Sequence, residues 1–382
     1  MRLILAILAT VFINTFASAD ITNAVQKYNE ASSQGSNKEK LIAAQNMGTA
    51  IMQEATHPSA SAIAHEAAWA LCELGEFASA QPIAQFALTL PNRDGAVAMP
   101  TRQLLSRYID WSLKTSSRNR RALDDALEAT IGMPPSVLSV IAHKSRVEYD
   151  ALEGRMQSLE VTATRASQHL LPIKDVVSTL WADYKQSSLM AAFYNEPKPE
   201  HLYEQADLEG TLSLMRDQED DDTERLEEAY WRASAWRMAM EAYFARGNIR
   251  HKPDSEQVDE ILASYGIAEP TSYDTMEPET IDEEGVPKLP FCPGEFNMKP
   301  KLKYPMEAAR KGRVGAVIAK VSVKDGKVGA VKILSSVPDE GFKTSAAETV
   351  QQWTWDVSDG EPGITCRADR KNIILPMAFQ ME

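Results

Sequence analysis

Between about Ile21 and Ile267, apolar residues recur every three or four positions, and alternation of Val, Ile and Thr is nearly absent. That spacing predicts helix after helix and no sheet. Ser36-x-x-Glu39 reads as a capping box, and Leu41, Ala44, Gly48 and Ile51 follow on one helical face. A helix over His65–Leu74 breaks at Gly75, and the next, from Phe77 to Leu90, ends at Pro91. The same period runs through Arg102–Leu113, Pro135–Leu152, Lys174–Phe193 and Glu224–Arg246.

One hairpin is better defined than the rest. Ala67, Ala68 and Leu71 precede Gly75, and Phe77, Ala80, Ala84, Ala87, Leu88 and Pro91 follow it. Small residues there let two antiparallel helices approach closely. The pattern resembles a tetratricopeptide repeat over residues 61–91, which implies a binding scaffold; an irregular bundle with one Ala-rich hairpin is the alternative. A fragment of the pattern recurs near Ala235, Ala239, Tyr243 and Gly247 without a regular period. The acidic run Asp217–Glu228 lacks the spacing of a calcium loop, so it reads as a carboxylate-rich helix N-terminus. Tyr230, Trp231 and Trp236 behind it read as core.

After residue 290 the period changes from helical to two. Tyr304-Pro305 opens a short helix that stops at Gly312. Val317, Ala319, Val321 and Val323 then share one face of a strand. Asp325-Gly326 is a two-residue hairpin turn, and Lys327–Leu334 is the return strand. Strict pairing would set Lys332 beside Ala319, so a bulge near Gly329 is expected to return Val331 and Ile333 to the buried face. Phe342, Ala346, Val350 and Trp353 line a second helix. A last strand, Asn372–Gln380, places Ile373, Leu375, Met377 and Phe379 on one face. Pro376 cannot donate to a ladder, which puts this strand at an edge.

Charge follows the same division. Residues 1–285 carry 25 basic and 43 acidic side chains, whereas residues 286–382 carry 15 and 11. The intervening segment 268–290, with Pro270, Pro278, Pro287 and Pro290, reads as an acidic linker. The net charge of −14 disfavours a nucleic-acid partner. At the start, an Arg, an apolar run of about 14 residues and Ala17-Ser18-Ala19 form a secretory leader. Cleavage after Ala19 is expected, and with it a periplasmic chain beginning at Asp20.

The motifs Tyr304-Pro305, Ala309-Arg310, Gly312-x-x-Gly315-x-Val317, Asp325-Gly326-x-Val328, Ser335-Ser336, Phe342, Ala346-Ala347, Val350, Trp353 and Ile374-Leu375-Pro376-Met377-Ala378-Phe379 resemble the TonB C-terminal domain. The likeness covers about 80 of the 382 residues. The expected organisation is thus a leader at 1–19, an all-α scaffold at 20–267, the linker, and a small α+β domain with an antiparallel sheet at 291–382. The resemblance implies protein or peptide partners in the cell envelope, with TonB-dependent outer-membrane receptors as the partner class. It also implies that the last strand (Ile373, Ile374, Leu375, Met377, Phe379) accepts an extended segment by strand addition. Unlike the family's transducers, the chain shows no long Pro-Lys or Pro-Glu spacer and no convincing retained anchor. A membrane-anchored transducer with an uncleaved leader is the alternative.

Cys292 and Cys366 both lie in the C-terminal region, while Cys72 sits in an apolar helix, so a Cys292–Cys366 disulfide is expected; three free thiols are the alternative. No nucleophile elbow, phosphate loop or His-Glu-x-x-His occurs, and no cofactor or metal is expected. The lysine- and arginine-rich stretches at 299–303 and 310–313 read as solvated faces. A non-enzymatic interaction protein is the reading; an enzyme with an unrecognised site in the helical part is the more distant alternative.

Overall fold

The computed structural model describes residues 19–91, 96–215, 222–246, 254–270, 292, 294–338, 341–357 and 369–380. The leader before Ala19 and nearly all of the linker lie outside the described residues. The chain forms two compact units, one running to Glu148 together with Gln168–Pro172, the other comprising Tyr149–Ser167 and everything from Ile173 onward.

The first unit begins with six helices: α1 (Ala19–Gln34), α2 (Asn37–Gln53), α3 (Ala60–Glu73), α4 (Phe77–Thr89), α5 (Met99–Leu113) and α6 (Ser117–Glu128). Helix α2 starts as its capping box requires: the Glu39 N–H donates to Ser36 Oγ, and the Ser36 N–H to the Glu39 carboxylate. Each helix packs on its successor, and α2 also meets α4 as α3 meets α5, the arrangement of stacked hairpins. At the α3–α4 turn Gly75 takes φ +79°, a conformation that disfavours any side chain. Ala67, Ala68, Leu71, Ala80, Ala84 and Ala87 are all buried, and the five alanines among them leave room for the close approach of α3 and α4. Arg102 is buried on α5, where its guanidinium donates to the Ala87 and Leu90 carbonyls at 2.8 and 2.9 Å. The Leu90 N–H already donates to the Ala87 carbonyl at 3.4 Å; the arginine adds a second donor there and supplies one to the Leu90 carbonyl at the end of α4.

Two further helices, α7 (Val137–Leu152) and α8 (Met156–Leu170), contribute residues to both units. The second unit continues with α9 (Ser178–Asn195), α10 (Glu200–Met215), α11 (Asp222–Arg246) and α12 (Ser255–Ser264). It ends in β1 (Gly294–Asn297), α13 (Met306–Arg310), β2 (Gly315–Lys324), β3 (Lys327–Val337), α14 (Phe342–Val350), β4 (Thr354–Val357) and β5 (Arg370–Phe379). No strand occurs before Gly294 among the described residues.

The strands form one antiparallel sheet in the order β1-β4-β3-β2-β5. Short strands β1 and β4 carry too little alternation to be legible in the sequence. Asp325 and Gly326 both take positive φ, 50° and 71°, as the hairpin turn demands. The expected bulge is present: Val323 pairs with Val328 but Val321 with Val331, so Gly329 and Ala330 together oppose Ser322, whose Oγ accepts from the Ala330 N–H at 2.9 Å. Val331 and Ile333 thereby return to the core with Val317, Ala319 and Val321. That core is closed by α13 and α14 through Ala308, Phe342, Ala346 and Val350.

The opposite face of the sheet is buried as well. Ala316, Ile318 and Val337 join one apolar core with Trp231, Ala235, Trp236, Ala239 and Met240 of α11 and with residues of α9, α10 and α12. Ala235, Ala239 and Tyr243 of the suspected repeat fragment lie on α11, and Gly247 lies outside the described residues. Trp231 and Trp236 are core, as their setting in the sequence suggests. The unbroken apolar run Val314–Ala319 is the mark of a strand covered on both sides.

Candidate strand-addition edge

Two glycines of the Gly312-x-x-Gly315 motif set the entry to the sheet. Gly312 ends α13 with φ +64°, and a Cβ on Gly315 would lie 2.6 Å from the Phe342 ring. The junction between them is held from both sides. Tyr304 donates its hydroxyl to the Arg313 carbonyl, and Tyr194 on α9 donates to the Val314 carbonyl. The Arg313 side chain is buried, with its guanidinium 5.9 Å from the Tyr194 ring centroid. Burial holds its pKa below the usual arginine value. Arg313 is thus part of the interior, correcting its assignment to a solvated basic face; Arg310 and Lys311 beside it are exposed.

Strand β5 pairs with β2 alone among the described residues and forms the sheet's border, as Pro376 requires. Ile373, Leu375, Met377 and Phe379 point into the α13–α14 core, and Ile374 points to the α11 side. Their side chains are committed to packing; what the edge offers a visitor is backbone. Pairing runs without a shift from Gly315↔Phe379 to Val321↔Ile373. Beyond that, Lys371 and Asn372 bulge opposite Ser322, with Asn372 at φ +58°, and the buried Arg370 guanidinium lies 5.1 Å from the Trp355 ring centroid. The sequence contains no signal for that second bulge beyond the asparagine itself, a residue that tolerates positive φ.

The other borders are less suitable. Strand β1 is four residues long. Strand β4 joins β3 only at Lys327↔Thr354, but the free remainder of β3 is interrupted by a second bulge at Leu334 and bears the exposed Lys332. Bulges and edge lysines are common means of blocking unwanted pairing. Gln351 Nε2 also covers the Gly329 carbonyl at 2.7 Å.

Of the cysteines, Cys72 is a buried free thiol, Cys292 is buried, and Cys366 lies outside the described residues. In the first unit His169 Nε2 lies 2.8 Å from Ser139 Oγ, with the His143 ring 5.0 Å away. All three are buried, and Ser139 Oγ is tied to the Ser136 backbone at the start of α7, so the pair is part of a helix terminus. No group of three or more His, Cys, Asp or Glu able to hold a metal occurs among the described residues.

The fold is a small α+β module whose sheet packs on helices α9–α12. Residues 300–369 match the family described as the Gram-negative bacterial TonB protein C-terminal, and this part of the chain is similar to that domain. The match stops immediately before β5. No curated protein and no solved structure matches the chain. No helix among the described residues is long and apolar enough to cross a membrane.

Proposed function

We propose that this is a periplasmic, non-enzymatic interaction protein whose β5 edge takes up an extended segment of an envelope partner, with TonB-dependent outer-membrane receptors as the partner class. The carrying observation is seven consecutive residues, Ile373–Phe379, in unshifted register on a strand with one partner among the described residues, directly after the stretch 300–369 that matches the TonB C-terminal family. The helical units act as the scaffold that presents it. Hydrogen exchange on the full chain tests the reading, using synthetic N-terminal segments of the host's outer-membrane receptors. Slowed exchange of β5 amides is the expected result; protection confined to the helices, or none, overturns it. An exported chain that starts at Asp20 excludes the anchored-transducer alternative.

The same proposal includes a Cys292–Cys366 disulfide, supported by the burial of Cys292 and by the location of the free Cys72 in a different unit. Closing so long a loop contributes about 4.5 kcal/mol in the chain-entropy model, less any strain. A two-dalton mass increase on reduction is expected; no increase rules the bridge out.

A further inference from the structure

Pro376 stands in the middle of the proposed edge, opposite Ile318 in the unshifted stretch of the β2–β5 ladder. Ile318 is 2% exposed, and its neighbours Val317 and Ala319 are fully buried. Proline has no N–H. Were its nitrogen turned toward β2, the Ile318 carbonyl would lose its donor inside the sheet, an unmet buried acceptor. The ladder avoids that loss only if the nitrogen faces outward. Alternate residues along a strand direct their backbone groups to the same side, so the outward row consists of Ile374, Pro376 and Ala378.

We infer that Pro376 is a specificity-determining residue of the β5 edge: it leaves a blank between the outward N–H donors of Ile374 and Ala378 while its own carbonyl still accepts. The inference rests on the strand-addition reading. A visiting strand can donate to three successive carbonyls but receives from only two N–H groups. The visitor's residue facing Pro376 must therefore keep its own carbonyl in water, which selects register. A second copy of β5 meets the same blank, so the proline also hinders edge-to-edge pairing of the chain with itself. Pro376 and Ala378 are exposed, which leaves this side of the strand open to both kinds of visitor.

The test compares the full chain, its Pro376→Ala variant and a semisynthetic version carrying N-methylalanine at position 376, all checked for folding by circular dichroism. The probe is a capped octapeptide of alternating threonine and valine, titrated calorimetrically, with sedimentation velocity of each chain alone. Pro376→Ala is expected to bind about two- to tenfold tighter, the range for one added hydrogen bond, and to self-associate where the original chain does not. The N-methylated version is expected to behave as the original. Equal or weaker binding by Pro376→Ala, or tightening by the N-methylated version too, overturns the inference while leaving strand addition standing. Self-association of Pro376→Ala with no peptide binding by any version supports the blank and removes the peptide reading. No binding and no self-association anywhere removes both.

Discussion

The Tyr194 hydroxyl on α9 donates to the Val314 carbonyl, 3.4 Å away, and so ties a helix of the scaffold to the residue immediately before β2. Its ring packs against Phe193 and Tyr243 while facing the Arg313 guanidinium. Burial raises the hydroxyl's pKa above the ordinary tyrosine value, so it remains a protonated donor at neutral pH. Tyr194→Ala should cost about 2–4 kcal/mol in denaturant unfolding, because ring packing and the contact with Arg313 are lost together. Tyr194→Phe should cost about 1 kcal/mol or less, since it removes only the long hydrogen bond. Equal losses for the two variants would refute this division.

Sheet and helices α9–α12 share one apolar core, which bears on how the TonB-type domain can be studied. A fragment of residues 291–382 uncovers Ala316, Ile318, Val337, Leu334 and Ile374, all of which pack against that core. It should aggregate or bind a hydrophobic dye strongly, whereas a fragment beginning at Tyr149 should not. Clean monomeric behaviour of the short fragment in gel filtration and dye binding would contradict the shared core.

Gly315 has no room for a side chain. A Cβ there would lie 2.6 Å from the Phe342 ring, which is itself fully buried between α14 and β2. Gly315→Ala should destabilise by about 1–3 kcal/mol, the usual range for overpacking a filled core. Gly315→Ala combined with Phe342→Leu should recover part of that loss in thermal unfolding, because the shorter side chain vacates the clashing volume. Additive losses in the double variant would show that the ring is not the obstacle.

Acid should weaken the first unit through His65. Burial, reinforced by the charge of Arg102, pushes its pKa down to about 4 from an ordinary 6.5. Above pH 6.5 the ring is neutral in both folded and unfolded chains and costs nothing. As pH falls from 6.5 to about 4, the unfolded chain takes up a proton that the folded chain refuses, so stability declines by at most about 3 kcal/mol. His65→Gln should flatten this part of the stability profile; the buried His169, also held below its usual value by desolvation, leaves a smaller slope. An unchanged profile would remove His65 as the cause.

How much was legible depended on whether a signal was local. The capping box, the Gly75 hairpin, the Asp325-Gly326 turn and the bulge at Gly329 each follow from a few adjacent residues, since backbone conformation and pleat alternation are set within a turn or two of chain. Pro376 likewise announced an edge, because a missing N–H is a covalent fact. The burial of Arg313 was not legible: a charged residue after Arg310-Lys311 reads as solvated until Tyr194, more than a hundred residues earlier, is known to face it. The bulge at Asn372 was hidden for the same reason, since it exists only relative to Ser322 on β2.

By itself, the amino-acid order determined the helical character of the first part, the three long strands, where the hairpin turns, and that the last strand is a border. It did so because propensity, periodicity and hydrogen-bonding capacity are properties of short stretches. Only the tertiary structure decided that the far face of the sheet is covered by α11, whose alanines belong to the same core as Ala316 and Ile318 of β2. Which of several apolar surfaces find one another depends on the shape and area they bury together, a quantity that no local pattern contains.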